Sequence, residues 1–428
     1  MNEIDLKSLA AETRNAWKTL KRSTRVQRDG VLAALAESLL QRSPAIAAAN
    51  ADDLSAGSES GLDAAMLDRL RLDAPRIAAL ADDVLKLIDR PDPLAVRFDE
   101  RALSNGLKLH RRRVPIGVLG VIYESRPNVT IDVAALAIKS ANAAILRGGK
   151  ESLRTNLALA GCVRHALLAT GLPAECIAMI PSIERAHVLE LLKLDGFVDL
   201  IIPRGGAALH AFCREHARMP VITGGIGICH LYIDEHADLA RVVPVIRNAK
   251  VQRPTVCNAL DTVLVHHAVA GPVLSGIVRA LAADGVHFRA EPRALAALEV
   301  ALGDAAQFRA SVQAAGPEDF DTEWLSLVLG LKIVDSPEAA MAHVEAHSSG
   351  HSDGILTEDA DRARDFLEHV DSAAVYWNAS TRFTDGGELG LGAEVAVSTQ
   401  RIHARGPMGL EELTSYKWVI EGDYHVRR

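Results

Sequence analysis

Residues 248–266 read NAKVQRPTVCNALDTVLVH, and this stretch decides the fold that we predict for the chain. Apolar residues recur at helical spacing from Leu239 to Ala249, although Pro244 inside that run predicts a kink or a displaced helix start. The aliphatic run from Thr262 to Val265 predicts a buried strand. Cys257 is therefore expected on a turn between a helix and a strand, a kind of position that often carries chemistry.

Two interpretations of Cys257 are open on this evidence. A thiolate is a strong nucleophile, and the positive charges of Lys250 and Arg253, near in sequence, would favour that form of the side chain. Alternatively, Cys257 is a small buried apolar residue, as most cysteines outside disulfides are.

Short apolar runs alternate with helical stretches on both sides of this turn. From residue 114 to about residue 221 the alternation predicts a doubly wound parallel sheet, whose ligand binds at the carboxyl ends of the strands. A second series from 262 to 369 predicts a second open sheet. We therefore expect an α/β protein with an active site in a cleft between two similar domains. Residues 1–95 are expected to form amphipathic helices that carry no chemistry.

Residues 96–113, VRFDERALSNGLKLHRRR, predict a β-hairpin that turns at Asn105-Gly106. An isolated two-stranded hairpin is marginally stable in water, so we expect this one to pack against another part of the protein or another subunit. The alternative is a solvated surface hairpin. A strand-like segment from Ser415 to Ile420 is a candidate partner for it.

Composition excludes several classes of protein. A length of 428 residues favours two or three domains, and a formal charge of -8, from 47 basic and 55 acidic side chains, argues against a nucleic-acid partner. The chain has neither an apolar run as long as a membrane span nor a signal-like amino terminus, so we expect a cytoplasmic protein. Five cysteines without a CxxC pair argue against a disulfide framework or a structural zinc site.

The ends of two predicted strands are candidates for cofactor binding. Arg147 and Lys150 follow a strand at the place where NAD-binding sheets usually carry an acid, and basic residues there suit the 2'-phosphate of NADPH. Gly205 and Gly206 end another strand and open a helix, where backbone N–H groups can bind a pyrophosphate. Because no complete GxGxxG is present, these glycines are also compatible with an ordinary turn.

The cysteine stretch, NAK-x-QRP-x-VCNAL, resembles the cysteine loop of the gamma-glutamyl phosphate reductases, a branch of the aldehyde dehydrogenase superfamily. Four further segments resemble the same family in the same order, namely VPIGVLGVIYESRPN (114–128), IIPRGG (201–206), HVEAHSSGHSDGI (343–355) and VYWNASTRFTDGGELGLGAEVAVSTQRIHARGPMG (375–409). The resemblance implies an aldehyde dehydrogenase-like α/β fold, with two doubly wound open-sheet domains and an oligomerisation arm. The expected boundaries are residues 1–95 with 114–230 for an NADPH-binding domain, 231–400 for a catalytic domain, and 96–113 with 401–428 for the arm.

The resemblance also implies an activity, which is the NADPH-dependent reduction of L-glutamyl 5-phosphate to L-glutamate 5-semialdehyde in proline biosynthesis. Cys257 would be its nucleophile, Asn128 a donor to the oxyanion beside the Cys257 amide, and Glu323 a ligand of the nicotinamide ribose. A homo-oligomer is expected, as is association with the kinase that supplies the unstable acyl phosphate, glutamate 5-kinase. Sequence leaves two alternatives, an aldehyde dehydrogenase that hydrolyses its thioester and a non-catalytic nucleotide-binding homologue.

A substrate with an α-amino acid end needs an arginine or backbone donors for its carboxylate. In the loop NASTRFTDGG, Arg382 is the first candidate for this role, with Arg126 as the second. The expected substrate-binding residues are Arg126, Ser380, Thr381, Arg382 and Phe383. The alternative for each arginine is a surface ion pair.

Two other features affect the chemistry. His343, His347 and His351 lie four residues apart, but the SSGHSD turn is expected to end the helix before His351, and we therefore predict no metal site. In VITGGIGICHLYID, Thr223 occupies the position of the glutamate that serves as base for water in the hydrolytic branch, and threonine cannot take up a proton at neutral pH. Gamma-glutamyl phosphate reductases often carry glutamate there too, so the chain departs from its nearest resemblance at this residue.

Overall fold

The computed structural model describes residues 4–224, 226–303 and 310–427, so residues 1–3 and 428, the outer ends of the first predicted domain and of the arm, lie outside it. The chain forms two compact units. The first comprises Met1–Thr223, Gly390–Ala396 and Pro407–Arg428, and the second comprises Gly224–Leu389 and Val397–Gly406. The predicted boundary between residues 230 and 231 and the separate arm domain stay predictions.

The first unit begins with helices, as its sequence predicts, and the first and fifth of them are clearly amphipathic. They are α1 (Leu6–Leu20), α2 (Arg25–Gln41), α3 (Ser43–Glu59), α4 (Ala64–Leu70) and α5 (Ala74–Asp89). Polar residues begin several of them: the Thr24 side chain accepts a hydrogen bond from the Gln27 amide, and the Gln27 side chain accepts one from the Thr24 amide. This reciprocal capping satisfies donors that a helix start otherwise leaves unpaired.

Parallel strands in the order β5-β4-β3-β6 form the sheet of the first unit. They are β3 (Val118–Tyr123), β4 (Ala143–Arg147), β5 (Ile177–Met179) and β6 (Leu200–Arg204), and the helices between and after them are α6 (Val129–Lys139), α7 (Leu153–Ala169), α8 (Ala186–Leu191) and α9 (Ala207–His216). Residues of β3 and β4 are buried throughout, as expected for strands with helices on both faces. The carboxyl ends of these strands therefore carry three candidate segments: 124–128, 147–150 and 205–206.

The predicted hairpin is confirmed, and it is part of a three-stranded antiparallel sheet. Strand β1 (Arg97–Ala102) pairs with β2 (Lys108–Pro115), and Gly106 in the connecting turn has a φ of 92°. The carboxyl-terminal strand, β16 (Thr414–Glu421), pairs with β2 along its whole length. A third strand is what an isolated hairpin lacks for independent stability.

The second unit contains the second predicted parallel sheet, in the order β10-β9-β11-β8-β7-β12-β13. Its strands are β7 (Cys229–Ile233), β8 (Leu260–His266), β9 (His287–Ala290), β10 (Val312–Ala314), β11 (Val328–Val334), β12 (Ser352–Leu356) and β13 (Ala374–Trp377). Its described α-helices are α10 (Leu239–Val251), α11 (Ala270–Ala282), α12 (Pro292–Leu302), α13 (Pro337–His347) and α14 (Ala360–His369). Two short strands, β14 (Ala396–Ser398) and β15 (Gly406–Met408), span the points where the chain passes between the units.

Helix α10 and strand β8 hold the turn that carries Cys257. The helix begins at Leu239, where Asp238 accepts a hydrogen bond from the Ala240 amide, so the predicted displaced start at Pro244 is wrong. Its buried face belongs to one apolar cluster with β8 and α11. Each fully buried aliphatic side chain in such a cluster contributes about 1.5–3 kcal/mol, which fixes both elements that flank the turn. The predicted position of Cys257 between a helix and a strand is confirmed.

Candidate active site

The candidate site of the second unit lies at the amino-terminal ends of its strands. Neighbouring strands occur in the order β11-β8-β7-β12, and all of these pairs are parallel. Cys257 directly precedes β8, Gly227 precedes β7, and Glu323 precedes β11. Because parallel strands start at the same edge of a sheet, three segments that are distant in sequence meet there.

Cys257 is the partly exposed cysteine of the chain, whereas Cys162, Cys176, Cys213 and Cys229 are buried. Burial raises the pKa of the thiol to about 12 for Cys176 and to about 11 for Cys213. The pKa of Cys229 is raised well above its usual value, by burial first and by nearby carboxylates second. A buried, protonated thiol is inert, so Cys257 is the thiol best exposed for reaction.

The backbone of Cys257 packs directly against Gly227. A Cβ atom on Gly227 would lie 1.5 Å from the Cys257 carbonyl oxygen, so only glycine fits at this position. The Cys229 thiol donates a hydrogen bond to the same oxygen at 3.3 Å. The start of β7 therefore supports the main chain of the turn.

Glu323 is hydrogen-bonded to the same segment as the cysteine turn. Its Oε1 accepts a hydrogen bond from the Gly227 amide at 2.8 Å, which ties the segment before β11 to the support of the cysteine turn. Burial raises the pKa of Glu323, and the Gly227 hydrogen bond opposes that rise. Glu323 therefore binds the glycine that packs directly against the Cys257 backbone. The sequence alone did not show whether this glutamate belongs to the site.

The loop after β13 is bound to the residue that follows the cysteine. Asn258 donates through its side-chain amide to the carbonyl oxygens of Arg382, at 3.3 Å, and Thr384, at 2.9 Å. In return, the Thr381 hydroxyl donates to the Asn258 carbonyl at 2.7 Å, and the Arg382 guanidinium donates to the Asn258 side chain. Four hydrogen bonds therefore join the cysteine turn to the predicted substrate loop.

The four predicted residues of that loop differ in exposure. Thr381 is buried, and its hydroxyl is used within the protein; Ser380 is also buried, and its hydroxyl accepts from the Arg382 amide at 3.3 Å. Arg382 is partly exposed and Phe383 is 46% exposed. The side chains of Arg382 and Phe383 are therefore the ones open to solvent, while the hydroxyls of Ser380 and Thr381 are used in hydrogen bonds within the protein.

Arg382 has a positive charge that its protein contacts do not neutralise. Besides Asn258, its guanidinium donates to the Gln252 amide oxygen at 3.1 Å, and no carboxylate among the described residues lies within ion-pair distance. Burial lowers the pKa of Arg382, and the nearby charge of Arg253 lowers it further. Arg382, bonded to the residue after Cys257, and Arg253, four residues before Cys257, are two positive charges near the turn that suit an anionic ligand.

In the first unit, the two basic cofactor candidates have different environments. Arg147 is 8% exposed and donates to the carbonyl oxygens of Gly148, at 3.0 Å, and Ile183, at 3.1 Å. Lys150 is exposed at the end of β4. Arg147 thus stabilises the backbone that follows the strand, whereas the side chain of Lys150 is exposed to solvent.

Gly205 and Gly206 lie at the start of α9, as predicted. No side chain caps this helix, so its first N–H groups point outward for an acceptor. The Glu124 carboxylate is close by: it accepts from the Gly206 amide at 3.4 Å, and a Cβ on Gly205 would meet it at 2.4 Å. An acidic neighbour was not foreseen and opposes a phosphate at the same amide.

Asn128 and Arg126 lie at the start of α6. The Asn128 side-chain amide donates to Asp132 at 2.9 Å, and burial raises the pKa of Asp132 to about 6. An amide nitrogen carries two hydrogens, so this bond leaves one for an oxyanion. Arg126 is partly buried in the turn that precedes the helix.

The three spaced histidines have separate partners. Helix α13 ends at His347, which confirms the predicted break before His351. His343 lies 2.9 Å from the Lys332 ammonium, His347 lies 2.8 Å from Asp321, and His351 lies 2.8 Å from the Ser352 hydroxyl. Among the described residues, ligand atoms of Asp234, Glu235 and His236 do cluster within 4.8 Å, but Arg362 already binds both carboxylates.

Sequence reasoning missed the residues that support the turn. Gly227 is not part of a complete nucleotide-binding motif, so the sequence did not single it out as a support of the turn. Asn258 was noted only as the residue after Cys257. Asp261 lies in β8, which begins at Leu260, whereas the predicted strand began at Thr262. Their roles depend on which strands are neighbours, and a single sequence does not specify this.

Comparison with known proteins agrees with this geometry. The model of the aldehyde dehydrogenase family matches residues 1–289. A gamma-glutamyl phosphate reductase of Roseiflexus castenholzii is 52% identical over 425 residues, covering 99% of each chain. One from Aeromonas salmonicida is 53% identical over 423 residues, covering 99% of this chain and all of its own.

A solved structure supports the same fold. The crystal structure of a gamma-glutamyl phosphate reductase from Thermotoga maritima superposes with a TM-score of 0.94 and is 41% identical, covering 99% of this chain and all of its own. The predicted α/β fold with two open sheets is therefore confirmed. In the described residues, no helix is long and apolar enough to cross a membrane.

Proposed function

Since the chain belongs to the gamma-glutamyl phosphate reductases, a branch of the aldehyde dehydrogenase family, we propose that it reduces L-glutamyl 5-phosphate to L-glutamate 5-semialdehyde with NADPH. The reaction proceeds through a thioester on Cys257 and is the second step of proline biosynthesis from glutamate. The observation that carries this proposal is the exposure of Cys257 on a turn bonded to the Arg382 loop, while the other cysteines are buried.

Cys257 first attacks the acyl carbon of the substrate. The C–O bond to phosphate breaks as the S–C bond forms, so inorganic phosphate leaves and the acyl group becomes a thioester. The Cys257 amide is the proposed donor to the oxyanion of this step, and Asn128 stays a predicted second donor. Dividing one displacement into two lowers each barrier.

The substrate carries an acyl phosphate at one end and an α-carboxylate beside an α-ammonium at the other, and both anionic groups suit the positive charges around the turn. Arg382 is held by amide oxygens, so its charge remains available for the α-carboxylate. Arg126 is the second candidate for that group. Phe383 supports the aliphatic part of the substrate, and Ser380 and Thr381 fix the loop.

The residues present fit a dinucleotide phosphate. Lys150 is exposed for the 2'-phosphate, and Arg147 holds the backbone at the end of the strand. The start of α9 after Gly205 and Gly206 is the candidate for the pyrophosphate, which would have to displace the Glu124 carboxylate from the Gly206 amide. Glu323 is the candidate for the nicotinamide ribose. When bound, this cofactor would supply a hydride to the thioester carbon. Collapse of the resulting thiohemiacetal breaks the C–S bond, so the aldehyde and the Cys257 thiolate are released together.

The three-stranded sheet of β1, β2 and β16 is proposed to mediate homo-oligomerisation. The Arg111 guanidinium lies 4.6 Å from the Tyr416 ring and 4.5 Å from the Trp418 ring, and both rings are more than 40% exposed. Such an aromatic surface suits burial against a second copy. Cytoplasmic location and association with glutamate 5-kinase stay predictions.

The direct test is oxidation of glutamate 5-semialdehyde by NADP in the presence of phosphate, followed at the nicotinamide absorbance. Cys257→Ser should lower the rate by roughly a thousandfold or more, because an alcohol without a matched base is a weak nucleophile. Cys162→Ala is the control, since that buried thiol donates to the Ser38 carbonyl at 3.8 Å and has no role in the proposed reaction, so this change should leave the rate unchanged. Comparable rates for Cys257→Ser and wild type would overturn the covalent mechanism.

A further inference from the structure

A buried ion pair lies below the cysteine turn. Lys250, in the last turn of α10, has a fully buried side chain, and that of Asp261, in β8, is 3% exposed. Their charged atoms are 3.5 Å apart. Lys250 was expected from sequence to act on the thiol, but the structure pairs it with a carboxylate instead.

The pair is costly to bury. Loss of solvation raises the pKa of Asp261 to about 6, and it lowers the pKa of Lys250. Apolar residues of the same volume often stabilise a protein more than such a pair does. Stability alone therefore gives no reason for two charges at this position.

The contacts of Asp261 suggest another reason. One carboxylate oxygen accepts from the Cys229 amide at 3.4 Å, and the other accepts from the Trp324 amide at 3.2 Å. Asp261 thereby joins the start of β7 to the segment before β11. Cys229 donates to the Cys257 carbonyl, and Glu323 precedes Trp324 and binds Gly227.

We propose that Asp261 and Lys250 are positioning residues that hold the Cys257 backbone and the Glu323 carboxylate in fixed relation. Asp261 supplies two acceptors at once, which a carboxyl group offers reliably only when it is ionised. Lys250 keeps it ionised in a dry environment. The inference rests on the proposed function, because it gives Cys257 and Glu323 their roles.

The test uses Lys250→Met, Asp261→Asn and the double variant. Each single variant leaves a buried charge or acceptor without its partner, and it is expected to lose much stability or fail to fold. The double variant removes both charges, so its midpoint of urea unfolding should return towards wild type. Its kcat should nevertheless stay at least about tenfold low, because one amide has lost its acceptor and small misplacements are costly in catalysis. Its KM for the nicotinamide cofactor should also rise, because Glu323, the proposed ligand of the nicotinamide ribose, is no longer held in place.

Arg362→Met is the control, since Arg362 binds Asp234 and Glu235 at 2.7 Å beyond the opposite end of β7. It should cost stability but leave kcat unchanged. A second readout needs no turnover: the rate at which iodoacetamide alkylates Cys257 should change severalfold in the double variant and stay unchanged in Arg362→Met.

A double variant with wild-type stability, kcat and alkylation rate would reduce the pair to a packing feature and overturn the proposal. An inactive wild-type protein would instead contradict the proposed function, and the alkylation arm would still decide whether Asp261 and Lys250 position Cys257.

Discussion

At the scale of single residues, Lys150 is the side chain on which we expect cofactor choice to depend. It is exposed at the end of β4, whereas Arg147 is buried against two carbonyl oxygens. Lys150→Glu should raise the KM for NADPH by about tenfold or more, because a carboxylate would face the 2'-phosphate. The KM for NADH should change little.

The control for this prediction is Lys18→Glu, the same change of charge on an exposed lysine of α1. It should leave both KM values as they are. If Lys150→Glu weakens NADPH and NADH equally, the 2'-phosphate does not lie at this strand end.

Asp132 makes stability depend on pH in a direction that can be worked out. Its pKa in the folded protein, about 6, is above the ordinary value, so the folded state binds this proton more tightly than the unfolded state does. The contribution to stability is full below about pH 4 and is lost as the pH rises through about 6. Relative to Asp132→Asn, the wild-type free energy of unfolding should fall across this range by on the order of 1 kcal/mol, because partial exposure reduces the effect. The free energy of unfolding of both proteins would be measured in urea at each pH. If the difference between them is the same at every pH, the pKa of Asp132 in the folded protein is not raised.

At the scale of elements, the oligomerisation surface depends on β16. Trp418→Glu should weaken self-association, because it puts a charge into an aromatic surface that also stacks on Arg111. Sedimentation velocity would measure the change, and Tyr424→Glu, at a fully exposed tail residue, is the control that should not alter it. A wild-type protein that sediments as a monomer at micromolar concentration would contradict this role for the sheet.

Sequence predicted elements well where a pattern was long enough. The Asn105-Gly106 turn, the strand after Cys257 and the helices of both sheets were all visible in local periodicity. Strand β10, with three residues, was missed because so few side chains cannot show alternation. The start of α10 was misjudged because Pro244 is accommodated inside the helix.

At the scale of the whole molecule, the order of the strands was the information that sequence lacked. A ligand site was expected at the carboxyl ends of the first sheet, and Cys257 was expected before a strand of the second. That Cys257, Gly227 and Glu323 meet at the amino-terminal ends of the second sheet was not foreseen. Periodicity shows that strands exist and does not show which of them are neighbours. The trio of Asp261, Cys229 and Trp324 was invisible for the same reason.

The measurement that tests the central claim most directly is the fate of the acyl group on Cys257. The sequence resemblance predicts that Thr223 occupies the position of the base for water in the hydrolytic branch, so phosphate rather than water should resolve the thioester when glutamate 5-semialdehyde is oxidised. We predict that NADPH formation depends strongly on phosphate and that little free glutamate appears. Rapid glutamate production without phosphate would contradict the reductase account and favour a hydrolytic dehydrogenase, and no turnover in either direction would favour a non-catalytic homologue.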